Sequence, residues 1–319
     1  MNSKFQHFIA LSLIAGISWI LVQNPLTDSF VQGLNNKPEH AEMAVSRLYA
    51  EIQDKAPKFE IPAQDARIDS VWKTVPGYNG LKVDLDASYK IMKKTGKFDS
   101  KKLIYKQVPP AKHLKDLPPA PIYRANTEKP AVSLLINVAW GNEYLQDMLT
   151  VLKKNDVKAT FFLEGRWAKK FPELAKMINE SGHEIGNHSY SHPDMKLISD
   201  ARANEEIKKT NEIIKAVTGV TCRWFAPPSG SYKEETVNIA SANKMGTIMW
   251  SVDTVDWQKP SPEVLTERVL SKLHPGAFIL MHPTESSARS LDKLIKSIKA
   301  ENLHLMTVSQ SLSEDRIMH

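Results

Sequence analysis

The chain has 319 residues, enough for one large domain and a small one. Its 42% hydrophobic and 24% charged residues exclude wholesale disorder. The net charge of +6 comes without a Lys/Arg block interleaved with aromatics, which excludes nucleic acid as a partner. A lysine-rich solvated surface accounts for the charge, and it would also suit an anionic wall or membrane.

Lys4 precedes an uncharged run from Phe8 to Val22, FIALSLIAGISWILV. A basic start followed by a short apolar segment is the pattern of a signal sequence, so export is expected. The run is shorter than the roughly 20 residues of a comfortable membrane span. No A-x-A site follows it, so residues 1–23 are either a cleaved signal or a retained N-terminal membrane anchor. Residues 24–63 read as a polar tether. The single cysteine, Cys222, forms no intramolecular disulfide and reads as a packing residue.

Residues 64–108 read as a small α/β region. VPGYNG gives a turn and LKVDL a strand. DASYKIMKKTG gives a helix capped by Asp86 or Ser88 and ended by Gly96, and KKLIYKQV gives a second strand. Six prolines between Pro109 and Pro130 then predict a stiff extended linker over 109–130.

From residue 131 short apolar runs alternate with amphipathic helices. The expected strands are 132–138, 159–165, 183–188, 223–228, 246–253, 277–283 and 303–309. The helices fall between them, the first with Leu145, Met148, Leu149 and Leu152 on one face. Apolar strands alternating with helices predict a parallel sheet covered by helices, and seven units fit a (β/α) barrel. No GxGxxG or GxxxxGK[ST] follows the first strand, so a nucleotide-binding sheet has no support.

In such a barrel the chemistry gathers at the C-terminal strand ends. Those ends carry Asn137 and Val138, then Glu164, then His188 and His192. Further on come Pro227, Pro228 and Gly230, then Asp253, Asp256 and Trp257, and last His282. His188 and His192, four apart in HSYSH, are spaced to meet one metal ion on a helical turn; the alternative is two polar loop histidines. Asp256 and His282 suit a pair in which the carboxylate holds the imidazole tautomer for general acid work. Trp257 serves either as a wall for a sugar ring or as core packing.

ATFFLEG, GHEIGNHSYSHPDM, FAPPSG, WSVDTVDW and ILMHP, in this order and spacing, resemble the NodB-homology polysaccharide deacetylases over residues 131–312. With INVAWGNEY and VPGYNGLKV, the chain is most similar to the sporulation deacetylase-like proteins of endospore-forming bacteria. The resemblance implies a distorted (β/α) barrel of about seven strands, with residues 313–319 as a tail. It also implies removal of acetyl groups from an N-acetylated polysaccharide such as peptidoglycan or a chitin-like oligomer, in the cell envelope. A divalent metal, usually zinc, is implied, held by one Asp and two His. Carried over, His188 and His192 become metal ligands, His282 the general acid tuned by Asp256, and Trp257 with Pro227 and Pro228 the groove lining.

Three positions depart from that pattern. Ungapped placement on the family's TFDD motif puts Asn137 at the catalytic base and Val138 at the metal-binding aspartate, and Ala226 replaces an arginine. Asn accepts no proton at neutral pH and Val ligates no metal. A weak or lost metal site is therefore expected, with a catalytically impaired glycan-binding or structural protein as the alternative to an enzyme. If the chain turns over, another carboxylate must substitute. Asp253 and Asp256 qualify, Asp194 reads as a turn cap, and Glu164 is the first candidate. No protein partner is identifiable.

Overall fold

The computed structural model describes residues 47–317 together with Trp19, Asn24, Pro25, Thr27, Ser29 and Val31. The signal or anchor expected over 1–23 lies outside the described residues except for Trp19. Among the described residues no helix is long and apolar enough to cross a membrane.

The chain divides into two compact units, one comprising residues 1–61 and 81–106, the other 62–80 and 107–319. In chain order the first elements are helix α1 (residues 47–55), β1 (Arg67–Asp69), β2 (Lys73–Val75), β3 (Gly80–Val83), α2 (Leu85–Met92) and β4 (Tyr105–Val108). In the first unit Leu48, Ile52, Ala56, Val83, Met92 and Leu103 form one core. Its helix α2 is capped by Asp84, whose carboxylate accepts the Ala87 N–H at 2.9 Å. That is two residues before the expected Asp86. Gly96, at φ 65°, closes the helix by donating its N–H to Met92 O at 3.1 Å.

Two expectations are corrected here. The tether over 24–63 is helical at 47–55, because Leu48, Ile52 and Ala56 recur at helical spacing and bury one face. The 64–108 region is not one unit: β1 and β2 form an antiparallel hairpin within the second unit.

The second unit is a parallel sheet wrapped by helices. Its strands are β5 (Ala131–Val138), β6 (Thr160–Leu163), β7 (Glu184–Asn187), β8 (Trp224–Phe225), β9 (Gly246–Thr247), β10 (Val252–Asp253), β11 (Phe278–Met281) and β12 (His304–Leu305). Their order is β10-β11-β5-β6-β7-β8-β9, all parallel, with β12 on β5. The helices are α3 (Asn142–Lys154), α4 (Gly165–Lys170), α5 (Pro172–Glu180), α6 (Asp200–Thr218), α7 (Glu234–Ala242), α8 (Pro262–Leu270), α9 (Glu285–Ala300) and α10 (Val308–Leu312). This is the expected (β/α) barrel in distorted form.

The stretch expected as one strand, 246–253, makes two. β9 pairs with β8 and β10 with β11, at opposite ends of the sheet's path. Between them Met249 donates its N–H to Ile122 O, and Ile122 donates its own to Thr247 O. The barrel is therefore filled at this point by the segment expected to be a stiff linker. Ile122 and Ala125 sit in the interior core with Leu135, Phe162, Ala226, Ile248, Phe278, Val308 and Leu312. Proline excludes helix, but the proline-free run between Pro121 and Pro130 is free to hydrogen-bond. The last strand is likewise shorter than expected. Thr307 accepts the Gln310 N–H and starts α10, which plugs the interior with Val308 and Leu312.

Lys129, 2% exposed, ties that plug down: its Nζ donates to Gln310 O and Ser313 O, each at 2.7 Å. Burial pushes its pKa down to about 8, with Asp315 acting against the shift. The unfolded chain then binds the extra proton between that value and the ordinary lysine value of about 10.4. Stability should therefore rise across the window, because the cost of burying the charge fades. The unfolding free energy of wild type relative to Lys129→Met, measured by urea denaturation, should increase from pH 8 to pH 10. A flat difference would contradict it.

A second constraint sits where β5 enters α3. Gly141 has φ 80°, and a Cβ there would lie 1.9 Å from Pro283 O. No side chain fits this approach of the β5 end to the residue after His282. Gly141→Ala should cost about 2 kcal/mol or more in unfolding free energy, read from the denaturation midpoint.

Candidate active site

The ends of β5, β7, β10 and β11 surround a cavity of about 460 Å³. Asn137, His188, His192, Asp253, Trp257 and His282 line it, as do Ala139, Trp140, Ser229, Trp250 and Leu280. Asn137, His188, His192 and His282 thus share one cavity, and Asp256 stands directly behind His282.

Asp256 is fully buried. Its Oδ1 lies 2.8 Å from His282 Nδ1. Its Oδ2 accepts the His282 backbone N–H at 2.6 Å and the Ser287 hydroxyl at 2.5 Å. A carboxylate in that position fixes the tautomer with the proton on Nδ1 and turns Nε2 toward the cavity.

His188 is buried and donates its Nδ1–H to Ala226 O at 2.8 Å, which leaves Nε2 as a free acceptor. Burial, together with the neighbouring His192, pushes its pKa down to about 3, so the ring is neutral at pH 7. His192 is exposed, and the two rings meet edge to face with centroids 5.1 Å apart. The loop between them is not the expected helical turn, since Ser189 and His192 have φ of 61° and 56°. Its shape is held by Glu206 of α6, 1% exposed, whose Oε2 accepts the Tyr190 and Ser191 N–H groups at 2.8 and 2.7 Å. Its Oε1 accepts the Ser191 hydroxyl and Arg202. Sequence reasoning missed Glu206. The signal was available: a carboxylate on the buried face that carries Ala203, Ile207 and Thr210.

Asn137 is buried, and its Oδ1 has no hydrogen-bond partner. Val138 belongs to the apolar cluster outside the barrel with Leu134 and Ile136. Strand alternation puts those three side chains on the helix side and Asn137 on the cavity side. Ala226 is buried in the interior core. The residues present do not fit the one-Asp, two-His metal site of the resemblance. Among the described residues no three His, Cys, Asp or Glu side chains group so as to hold a metal ion.

Glu164 does not fill the gap. It caps α4 from a buried position, accepting the Trp167 N–H at 2.6 Å, and it does not line the cavity. Burial raises its pKa, against the pull of that hydrogen bond. A residue directly before a helix is spent on the helix N–H groups. Asp194 serves its turn as expected, accepting the Lys196 N–H and the Ser231 hydroxyl. Asp253 is the carboxylate that does line the cavity; its Oδ1 accepts the Val255 N–H at 2.8 Å. Pro227 and Pro228 are buried, and it is the next residue, Ser229 at φ 53°, that reaches the cavity. Trp140 and Trp250 were also missed, because tryptophan near a strand end reads equally as core.

The polysaccharide deacetylase family profile matches residues 124–248. The Bacillus subtilis protein YlxY is 50% identical over 318 residues, covering all of both chains. A peptidoglycan-N-acetylglucosamine deacetylase of Bacillus cereus is 36% identical over 185 residues, 56% of this chain and 67% of that one. Among solved structures, a CE4-family pseudoenzyme from Bacillus anthracis is similar with TM-score 0.80 and 53% identity over 85% of this chain and 96% of its own. A mutant of that pseudoenzyme described as having restored enzymatic activity matches with the same score. With the strand order and the Asp256–His282 pair, these likenesses establish that the chain belongs to the polysaccharide deacetylase (CE4) family.

Proposed function

We propose that this protein acts on an N-acetylated glycan of the cell envelope, peptidoglycan or a chitin-like oligomer, as a polysaccharide deacetylase with a reduced site. The observation that carries the reading is the intact acid half: Asp256 holds His282 at a cavity that Trp257 lines. The relatives named as peptidoglycan deacetylases supply the substrate class. Export, as a secreted or N-terminally anchored protein, rests on the uncharged run 8–22 and on the wall substrates in those names. The sporulation setting rests on the sequence resemblance alone.

In this reading water attacks the acetyl carbonyl, the C–N bond breaks, and the sugar nitrogen takes a proton from His282 Nε2. Asp256 stabilises the imidazolium that delivers it. The water must lose a proton, and an amide at 137 cannot take it. Asp253 is the cavity carboxylate and takes that role. A second reading is favoured by Asn137, Val138 and Ala226 and by the similarity to a pseudoenzyme. It is a catalytically impaired member that keeps glycan binding or a structural role in the envelope.

Loss of a positioned base is worth about 10² to 10⁴ in rate. Acetate release from N-acetylglucosamine oligomers and peptidoglycan should therefore be at least a hundredfold slower (~10²) for wild type than for Asn137→Asp with Val138→Asp. Asp253→Asn should abolish the residual rate. Oligomer binding with no acetate release from wild type would select the second reading. No gain in the double variant would mean that this strand end cannot present the carboxylates.

Zinc at His188 and His192 would have two protein ligands against the usual three, so binding should be weak. Elemental analysis of the purified protein should find well under one zinc per chain. Stoichiometric, chelator-resistant zinc would overturn this. Val138→Asp alone puts a carboxylate in the apolar cluster, at a cost of about 2–4 kcal/mol in metal-free urea denaturation. Added zinc should recover part of that loss if the strand end turns the new carboxylate to the histidines.

A further inference from the structure

We infer that Trp140 is a sugar-stacking platform of the cavity, a role that rests on the glycan reading above. Trp140 follows the end of β5 and lies within the bend before α3. Two contacts hold that bend. Gly141 brings its backbone against Pro283, where no side chain fits. Asn142 accepts the Trp167 indole N–H on its Oδ1 at 2.6 Å. The indole is thereby set parallel to the His282 ring, with an interplanar angle of 10° and centroids 5.7 Å apart.

An indole placed this firmly would ordinarily be buried, yet Trp140 is 48% exposed and lines the cavity. Trp257, 57% exposed, lines the same cavity, and Trp250 lines it too. Flat apolar rings with a polar floor suit a pyranose, whose axial C–H face is apolar and whose rim is all donors and acceptors. The floor offers such a partner: Asn137 Oδ1 is buried, unpartnered and on the cavity side of β5. A sugar N–H or hydroxyl would satisfy it. The occupant is therefore a neutral N-acetylated pyranose that stacks on Trp140 next to the general acid.

The test is titration of the full chain with the N-acetylglucosamine hexamer, followed by calorimetry. Trp140→Ala should weaken binding about tenfold, while Trp140→Phe, which keeps a stacking face, should stay within about threefold of wild type. Circular dichroism and the denaturation midpoint should be unchanged in both. Trp257→Ala serves as the control for the reading itself. If wild type binds and Trp257→Ala weakens binding while Trp140→Ala does not, this inference fails and the glycan reading stands. If Trp140→Ala binds more tightly, the indole is a plug and the inference fails as well. If wild type does not bind the hexamer at all, both fail.

Discussion

Strand β5 is buried along all eight of its residues, with β6 and β11 hydrogen-bonded to its two edges. That double burial fixes what the strand end can present. Side chains alternate, so Leu134, Ile136 and Val138 must face the helices, and Leu135 and Asn137 must face the interior. A one-residue slip would send three large apolar side chains into the cavity and two others into the helix layer. The neighbours of β5 inherit the same register. Asn137 lies opposite Phe162, and Ile136 opposite Met281, the residue just before His282. The distance between the β5 end and the acid histidine is thus set by the core and not by the loops.

Seen from that constraint, the three departures from the family pattern have one logic. A carboxylate at 137 would sit on the cavity floor beside two neutral histidines, and a carboxylate at 138 would need metal to offset its burial. An arginine at 226 would be a buried cation with no carboxylate to pair with. Removing all three together leaves an apolar strand end, a buried amide and an alanine, with no unpaired charge in the interior. Losing only the arginine, or only the carboxylate at 137, would leave one. The acid half is independent of this group: Asp256 is satisfied by His282 and Ser287 alone. It can therefore persist when the metal half has gone.

Much of this was legible in the sequence. The alternation of apolar runs and amphipathic helices located β5, β6, β7 and β11, because strands buried on both faces leave an uninterrupted apolar signal. Asp256 and His282 were legible because both stand at strand ends. The failures share a cause. GTIMWSVD is as apolar as a strand but breaks at its centre, because Ile122 competes for its backbone. A run of prolines concealed Ile122 itself, and a run of charges concealed the helix carrying Leu48 and Ile52. Glu164 stood as a candidate substitute carboxylate because its neighbour in space, the Trp167 N–H, belongs to a helix whose start a single Glu-Gly step does not announce. In each case a backbone partner far away or one turn ahead decided the outcome.

The positioning of the histidine pair also depends on remote residues. His188 is held by the Ala226 carbonyl just past β8, and the loop to His192 by a carboxylate on α6. Glu206 accepts two backbone N–H groups, a hydroxyl and an arginine, so both of its oxygens are spent on shaping that loop. Such a buried carboxylate costs several kcal/mol in desolvation unless every lone pair is used, and here they are. Glu206 thus holds the histidine side of the pocket, with its exposed His192, in one defined shape beside the unpartnered Asn137. The carboxylates of hydrolysis are missing from β5, but the walls against which a glycan would rest are not.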